Sequence, residues 1–317
     1  MSEAPRQGNV LLSVRGFNPA RWHKLIAAER DVVLEPNGAA DPAIDYAVVW
    51  KQPPGILKSL PNLKAIFSIG AGVDHVFADP DLPDVPVVRV VAPNLTNHMR
   101  EYVGWRVLDH HRQGITYRLQ QGQKLWREPA QPPASAVTVG IMGLGQLGMA
   151  AAQALLALGF TLTGWSRTEK QIEGITCHHG DAGLPAFLAA TDILVVLLPL
   201  TGATRGIINS GLLSQLRQNG PLGGPVLINA GRGQLQVEAD IVSALDAGTL
   251  KEASLDVFEH EPLDSRSALW AHPRVFVTPH AAATSDPAHL APDMLAQMAA
   301  HDRGEALRNV VDRSAGY

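Results

Sequence analysis

Cysteine is almost missing from this chain: Cys177 is the only one in 317 residues. No disulfide framework and no Cys-rich metal site can form within it, which suits a reducing, cytoplasmic setting. A surplus of positive charge is missing as well. The net charge is -4 and no long basic run occurs, which argues against nucleic acid or an anionic membrane as partner. Long apolar runs are absent. The longest, Ile193 to Leu198, stops at Pro199, far short of the ~20 residues that span a bilayer. The start, Met1 to Gln7, is polar and has no apolar core of a signal peptide. There is no short tandem repeat and no low-complexity segment.

What is present reads as an ordinary globular protein, 46% hydrophobic and 18% charged, long enough for two domains. Short apolar runs alternate with helical stretches. Val10–Val14, Tyr46–Trp50, Ala65–Ile69 and Val87–Val91 read as strands, with a helix from Pro19 to Arg30. A helix from Thr96 or Asn97 to about Gln113 follows, then a loop at Gln131-Pro132-Pro133. Strand Val137–Met142 runs into a glycine turn and an Ala/Leu-rich helix, Gly148–Leu158. Thr161–Trp165, Ile193–Leu198, Val226–Asn229, Ala253–Val257 and Val275–Thr278 complete the strands, several of them apolar throughout, as strands buried on both faces are. The expected fold is α/β: two doubly wound parallel-sheet units of similar style. The stretch from Ser285 to Arg303 reads as a helix, one that can return to the first domain and make it discontinuous.

The turn Gly143-Leu144-Gly145-Gln146-Leu147-Gly148 lies between a strand and a helix, the context of a dinucleotide fingerprint. The first glycine permits the tight turn, the second lets backbone approach a pyrophosphate, and the third lets helix and strand pack closely. The next strand decides which dinucleotide. An NAD site usually ends that strand in a carboxylate, whereas this chain has Ser166-Arg167-Thr168 and no carboxylate before Glu169. An arginine there pairs with a 2′-phosphate, and Ser166 and Thr168 can hydrogen-bond to it, so NADP(H) is expected over NAD(H). The plain alternative for Arg167 is a solvated surface residue.

Three residues at strand ends make a candidate site for 2-keto acid reduction. Arg232, between Gly231 and Gly233, can grip a carboxylate in bidentate fashion. His280, after Thr278-Pro279, is a candidate general acid, although one histidine among 12 is often structural. A glutamate beside it would hold the ring and keep a proton available, and Glu259 and Glu261 both stand within reach in sequence. With a nicotinamide supplying hydride, Arg232 would bind the carboxylate and His280 would protonate the carbonyl oxygen. A second anchor is the turn Gly70-Ala71-Gly72-Val73-Asp74, where the N–H groups of Ala71, Gly72 and Val73 can cradle a carboxylate. Trp50 and Lys51, at another strand end, are candidates for the pocket wall.

The Gly70–Asp74 turn, the Gly143–Gly148 fingerprint, Ala230-Gly231-Arg232-Gly233, Leu255–Leu263 and Thr278-Pro279-His280 resemble, in order, the D-isomer-specific 2-hydroxyacid dehydrogenases. Val48-Val49-Trp50-Lys51, Thr163–Thr168, Leu269–Val275 and the tail Val311–Tyr317 are most similar to the glyoxylate/hydroxypyruvate reductase A branch. The resemblance spans nearly the whole chain. A departure falls at Gly231 and leaves the arginine in place. The resemblance implies a flavodoxin-like substrate domain, 1–97 plus 285–317, and an NAD(P)-binding Rossmann domain, 98–284, with the active-site cleft between them. It implies the roles of Arg232, Glu261 (preferred over Glu259, since Pro262 follows it) and His280. It implies cofactor contacts at Leu198, Pro199, Thr204, Asn229, Ala230, Gly231 and Asp256, a homodimer through the cofactor domain, NADPH preference, and glyoxylate or hydroxypyruvate as substrate. Two alternatives stand beside it: a reductase of a bulkier 2-keto acid, and a dinucleotide-sensing binding protein without turnover.

Overall fold

A computed structural model describes residues 9–313 apart from Phe17, Pro36 and Ser285. The polar start Met1 to Gln7, Ser285, and Ser314 to Tyr317 lie outside the described residues. The chain divides into two compact units, Met1–Leu95 with Ser285–Tyr317, and Thr96–Thr284. The boundary at Leu95 falls inside helix Pro93–His111.

The first unit carries five parallel strands: β1 (Asn9–Val14), β2 (Val32–Leu34), β3 (Ile44–Trp50), β4 (Ala65–Ser68) and β5 (Val87–Val88), in the order β2-β1-β3-β4-β5. This is the flavodoxin-like doubly wound order. The central strands are largely apolar, and Val10, Leu11, Tyr46 to Val49 and Ala65 to Phe67 have no solvent exposure. Helix Pro287–Asp302 belongs to this unit, capped by Asp286, whose carboxylate accepts the Ala288 N–H. Its last residue, Asp302, accepts hydrogen bonds from Arg30 (2.6 Å) and from the Tyr46 hydroxyl (2.7 Å). Burial pushes the Asp302 carboxyl up, but Arg30, Tyr46 and Lys64 outweigh it and hold it below the usual carboxylate range.

The second unit carries seven parallel strands: β6 (Thr138–Met142), β7 (Thr161–Ser166), β8 (Ile175–His179), β9 (Ile193–Val196), β10 (Val226–Asn229), β11 (Glu252–Leu255) and β12 (Val275–Val277). Their order is β12-β11-β10-β9-β6-β7-β8, the Rossmann arrangement with one strand added, whose order reverses between β6 and β9. The β9 and β10 side chains are all buried, as strands covered on both faces must be. Helix Pro93–His111 is tied to β11 by a buried polar cluster. His110 hydrogen-bonds Glu252 (2.6 Å) and Ser254 (2.7 Å), and Arg106 donates to Ser254 (2.9 Å).

The fold class read from the sequence is the one observed, while several element limits differ. The first helix is Ala20–Ile26, not Pro19 to Arg30. Strand Val87–Val91 shrinks to Val87–Val88. The long helix starts earlier, at Pro93, because proline's fixed φ suits a first helical turn. The helix after the glycine turn begins at Gln146, so Gly148 lies within it.

Candidate active site

In the second unit the expected residues stand at the carboxyl ends of neighbouring strands. Gly143 follows β6 with φ 111°, and a Cβ there would lie 2.8 Å from the Leu197 carbonyl oxygen. A Cβ on Gly148 would lie 2.0 Å from the Gly143 carbonyl oxygen. These two glycines are therefore fixed by close backbone approach. Gly145, the N-cap of the helix, is different: a Cβ there would meet nothing within 4 Å. The space in front of the turn is open, and the first N–H groups of helix Gln146–Ala157 are the donors that an anionic phosphate takes. The residues present thus fit a dinucleotide.

At the end of β7, Ser166 is buried and its hydroxyl donates to the Thr168 carbonyl oxygen (2.8 Å), while Arg167 and Thr168 are exposed. Ser166 therefore spends its hydrogen on shaping the turn. The sequence reading missed Lys170, whose ammonium donates to the Leu144 carbonyl oxygen inside the glycine turn (2.8 Å). A second cation three residues after Arg167 was the available signal. Across the sheet, the Thr204 hydroxyl donates to the Pro199 carbonyl oxygen (2.7 Å) and closes the turn after Leu198.

The arginine loop after β10 is held from beneath. The fully buried Asn229 donates to the Arg232 carbonyl oxygen (3.2 Å) and to Gln236 (2.8 Å), and accepts the Gly231 N–H (3.1 Å). Gln236 then donates to the Val257 carbonyl oxygen (3.0 Å). A Cβ on Gly233 would lie 1.8 Å from the Phe258 carbonyl oxygen, so the loops after β10 and β11 touch backbone to backbone there. Arg232 itself is half-buried, with Nη1 donating to the Gly231 carbonyl oxygen (2.8 Å).

The histidine loop is held by Asp256, which is 1% exposed. Its carboxylate accepts the Thr278 hydroxyl (2.6 Å) and the N–H groups of Ala281 (2.8 Å) and Ala282 (3.0 Å), and its carbonyl oxygen accepts the His280 N–H (2.7 Å). These bonds hold His280 at φ 54°, a left-handed conformation that costs a non-glycine residue about 1–2 kcal/mol. The His280 Nδ1 lies 2.9 Å from Glu261 Oε2 and 3.1 Å from Oε1. Glu261 Oε1 also accepts the Phe258 N–H (3.3 Å). Glu259 turns elsewhere and accepts the Glu238 N–H (2.7 Å) at the start of helix Glu238–Ala247. The side chains of Asn229 and Asp256, both expected at the cofactor, are thus engaged within the protein, and so is their backbone, with the Asp256 N–H donating to the Asn229 carbonyl oxygen (3.0 Å).

In the first unit Trp50 ends β3, and the turn Gly70–Val73 follows β4. A Cβ on Gly70 would lie 2.3 Å from Trp50 Cζ3, so the indole lies against that turn. Ala71 and Gly72 are half-buried and Val73 is buried. Lys51 is exposed and left-handed at φ 50°. Among the described residues no group of three or more His, Cys, Asp or Glu could hold a metal ion, and no helix is long and apolar enough to cross a membrane.

The family model described as "D-isomer specific 2-hydroxyacid dehydrogenase, NAD binding domain" matches residues 105–282. A glyoxylate/hydroxypyruvate reductase A from Yersinia enterocolitica is 42% identical over 288 residues, 89% of this chain and 90% of the relative. Among solved structures, an NADPH-dependent glyoxylate/hydroxypyruvate reductase from Sinorhizobium meliloti, in complex with NADP and sulfate, matches with TM-score 0.92 and 48% identity, covering 98% of this chain and 100% of that one. A probable 2-hydroxyacid dehydrogenase from Rhizobium etli, in complex with NADP, HEPES and L(+)-tartaric acid, matches with TM-score 0.91 and 44% identity over the same shares of the two chains.

Proposed function

This chain belongs to the D-isomer specific 2-hydroxyacid dehydrogenase family, a family of oxidoreductases, and we propose that it reduces a small 2-keto acid, glyoxylate or hydroxypyruvate, to the D-2-hydroxy acid with NADPH. The observation that carries this reading is the His280–Glu261 pair, at 2.9 Å, on the same sheet edge as the glycine turn. Glu261 accepts from Nδ1, so the proton to be transferred sits on Nε2. Arg232 takes the substrate carboxylate through paired N–H donors. Nε2–H of His280 then protonates the carbonyl oxygen, and in reverse Nε2 accepts the hydroxyl proton. When bound, the reduced nicotinamide supplies the hydride.

A bound cofactor would have its pyrophosphate held by the N–H groups at Gly145, Gln146 and Leu147, and its 2′-phosphate by Arg167, Thr168 and Lys170. Leu198, Pro199, Thr204, the segment from Asn229 to Gly231 and Asp256 would line the rest of its site. The unit comprising 1–97 and 285–317 supplies the substrate wall, with Trp50 and the N–H groups of Ala71, Gly72 and Val73, and the unit comprising 98–284 holds the cofactor. NADPH consumption with glyoxylate, hydroxypyruvate, pyruvate and phenylpyruvate, repeated with NADH, tests the reading. Fast turnover of the first two with NADPH is expected; tight NADPH binding without turnover of any of the four would overturn it.

The partner is a second copy of the chain. Trp105, Tyr117, Leu119, Leu125 and Trp126 are large apolar residues exposed on and after helices Pro93–His111 and Gly114–Gly122. Such a group of apolar side chains suits a homodimer interface. Light scattering is expected to give the mass of a dimer, and a monomer at all concentrations would sink this part.

A further inference from the structure

His75 takes no part in the reaction above, yet it sits at the centre of the substrate end of the first unit. Its ring packs against the Trp50 indole, tilted by 54° with centroids 4.5 Å apart. Its Nδ1 accepts the Lys51 N–H at 3.2 Å, and its Nε2 lies 3.0 Å from the Ser68 hydroxyl oxygen. Ser68 has no solvent exposure. Besides its hydrogen bond with His75 Nε2, its oxygen accepts the Gly70 N–H (3.2 Å) and lies 3.2 Å and 3.4 Å from the carbonyl oxygens of Gly70 and Gly72. Gln52 closes the far side, with Oε1 3.3 Å from Nδ1 and Nε2 donating to the His75 carbonyl oxygen (3.4 Å).

We infer that His75 is a positioning residue for substrate recognition, which locks the Trp50–Lys51 corner of one strand end to the Gly70–Gly72 turn of the next. The inference rests on the reading that Trp50 and this turn meet the substrate. Two features of the backbone call for such a lock. Lys51 is held left-handed, a conformation that needs support. Gly70 lies so close to the indole that a small movement of Trp50 changes the shape of the turn. One imidazole reaches both places.

Three substitutions in the full chain separate the possibilities. His75→Phe keeps a ring against Trp50 and removes both hydrogen bonds. His75→Asn restores an acceptor for the Lys51 N–H. Ser68→Ala removes only the link to the glycine turn. His75→Phe is expected to raise KM for glyoxylate and hydroxypyruvate about tenfold, the scale of two lost hydrogen bonds. The limiting kcat and the NADPH Kd are expected to stay within about twofold of wild type, and His75→Asn should recover part of the loss. Wild-type KM in His75→Phe, or a fall in kcat and thermal stability with no KM change, overturns the inference. Should His75→Phe fail to fold, Ser68→Ala decides by the same KM criterion. Trp50→Ala is the control: if it too leaves KM unchanged, the reading of this corner as a substrate contact is what has failed.

Discussion

The two sheets end in different kinds of chemistry. At the end of the seven-stranded sheet the candidate groups are ionisable: Arg232, Glu261 and His280 stand on loops bound together by the buried Asn229 and Asp256. At the end of the five-stranded sheet the candidate wall is an indole against a glycine turn, with His75 and Ser68 between them. The difference shows how each kind of site is held still. A group that must meet substrate stands in the open, so its position is set indirectly, by buried side chains bonded on several sides. A wall of aromatic ring and backbone can be packed directly.

Breaking the charged end is expected to have the largest effect. His280→Ala should lower kcat by about 10²–10⁴, the usual contribution of a general acid, measured as NADPH oxidation under saturating substrate. Near-normal kcat would remove His280 from the role.

Next comes a change that strikes only the five-stranded unit. Asp302→Asn leaves the Arg30 guanidinium, 2% exposed, without its carboxylate, a loss of about 3 kcal/mol. Denaturant unfolding should show it, with NADPH affinity retained. The effect depends on pH with a definite sign. Arg30 and Tyr46 hold the Asp302 carboxyl below its ordinary range, so its stabilisation is complete above the unfolded value, about 3.9, and is lost as pH falls through the lowered folded value. The gap between wild type and variant should therefore close in acid; a gap constant with pH would refute the linkage.

The third change separates the cofactor end from the reacting end. Arg167→Ala and Lys170→Ala should each weaken NADPH binding about tenfold, the scale of a charge-assisted hydrogen bond, with NADH binding unchanged. Equal losses for both cofactors would assign these residues a structural part instead.

The smallest effect should come from Glu259→Ala. It removes a cap from helix Glu238–Ala247, for about 1 kcal/mol, and should leave kcat in place. A kcat loss as large as that of Glu261→Ala would make the two glutamates equivalent.

That pair of glutamates marks where the sequence stops being legible. Both lie in the short segment after β11, and nothing in spacing or polarity says which turns towards His280. The choice is made in three dimensions: Glu259 is taken by the Glu238 N–H, and Glu261 is left to the imidazole. Strands buried on both faces, such as Ile193–Val196 and Val226–Asn229, announce themselves as apolar runs. The edge strands Val32–Leu34 and Ile175–His179 are harder to read: each pairs on one side only, the first is an apolar run of just three residues, and the second is mixed, Ile-Thr-Cys-His-His. The positions of Arg232 and His280 could be read because both follow a strand directly. The supports beneath them could not, because Asn229 and Asp256 act through loops brought together only by the sheet order.

Helix Pro287–Asp302 packs in the first unit, against helix Ala20–Ile26, although nearly two hundred residues of the other unit separate it from Leu95. This arrangement has a consequence for synthesis. The ribosome makes the five strands first, yet their unit lacks its closing helix, and with it the Asp302 partner of Arg30, until the whole seven-stranded unit has been made. The seven-stranded unit is one uninterrupted stretch and can fold as it is released. The unit begun first is finished last, and in the interval the face of its sheet that this helix covers has no partner from its own unit.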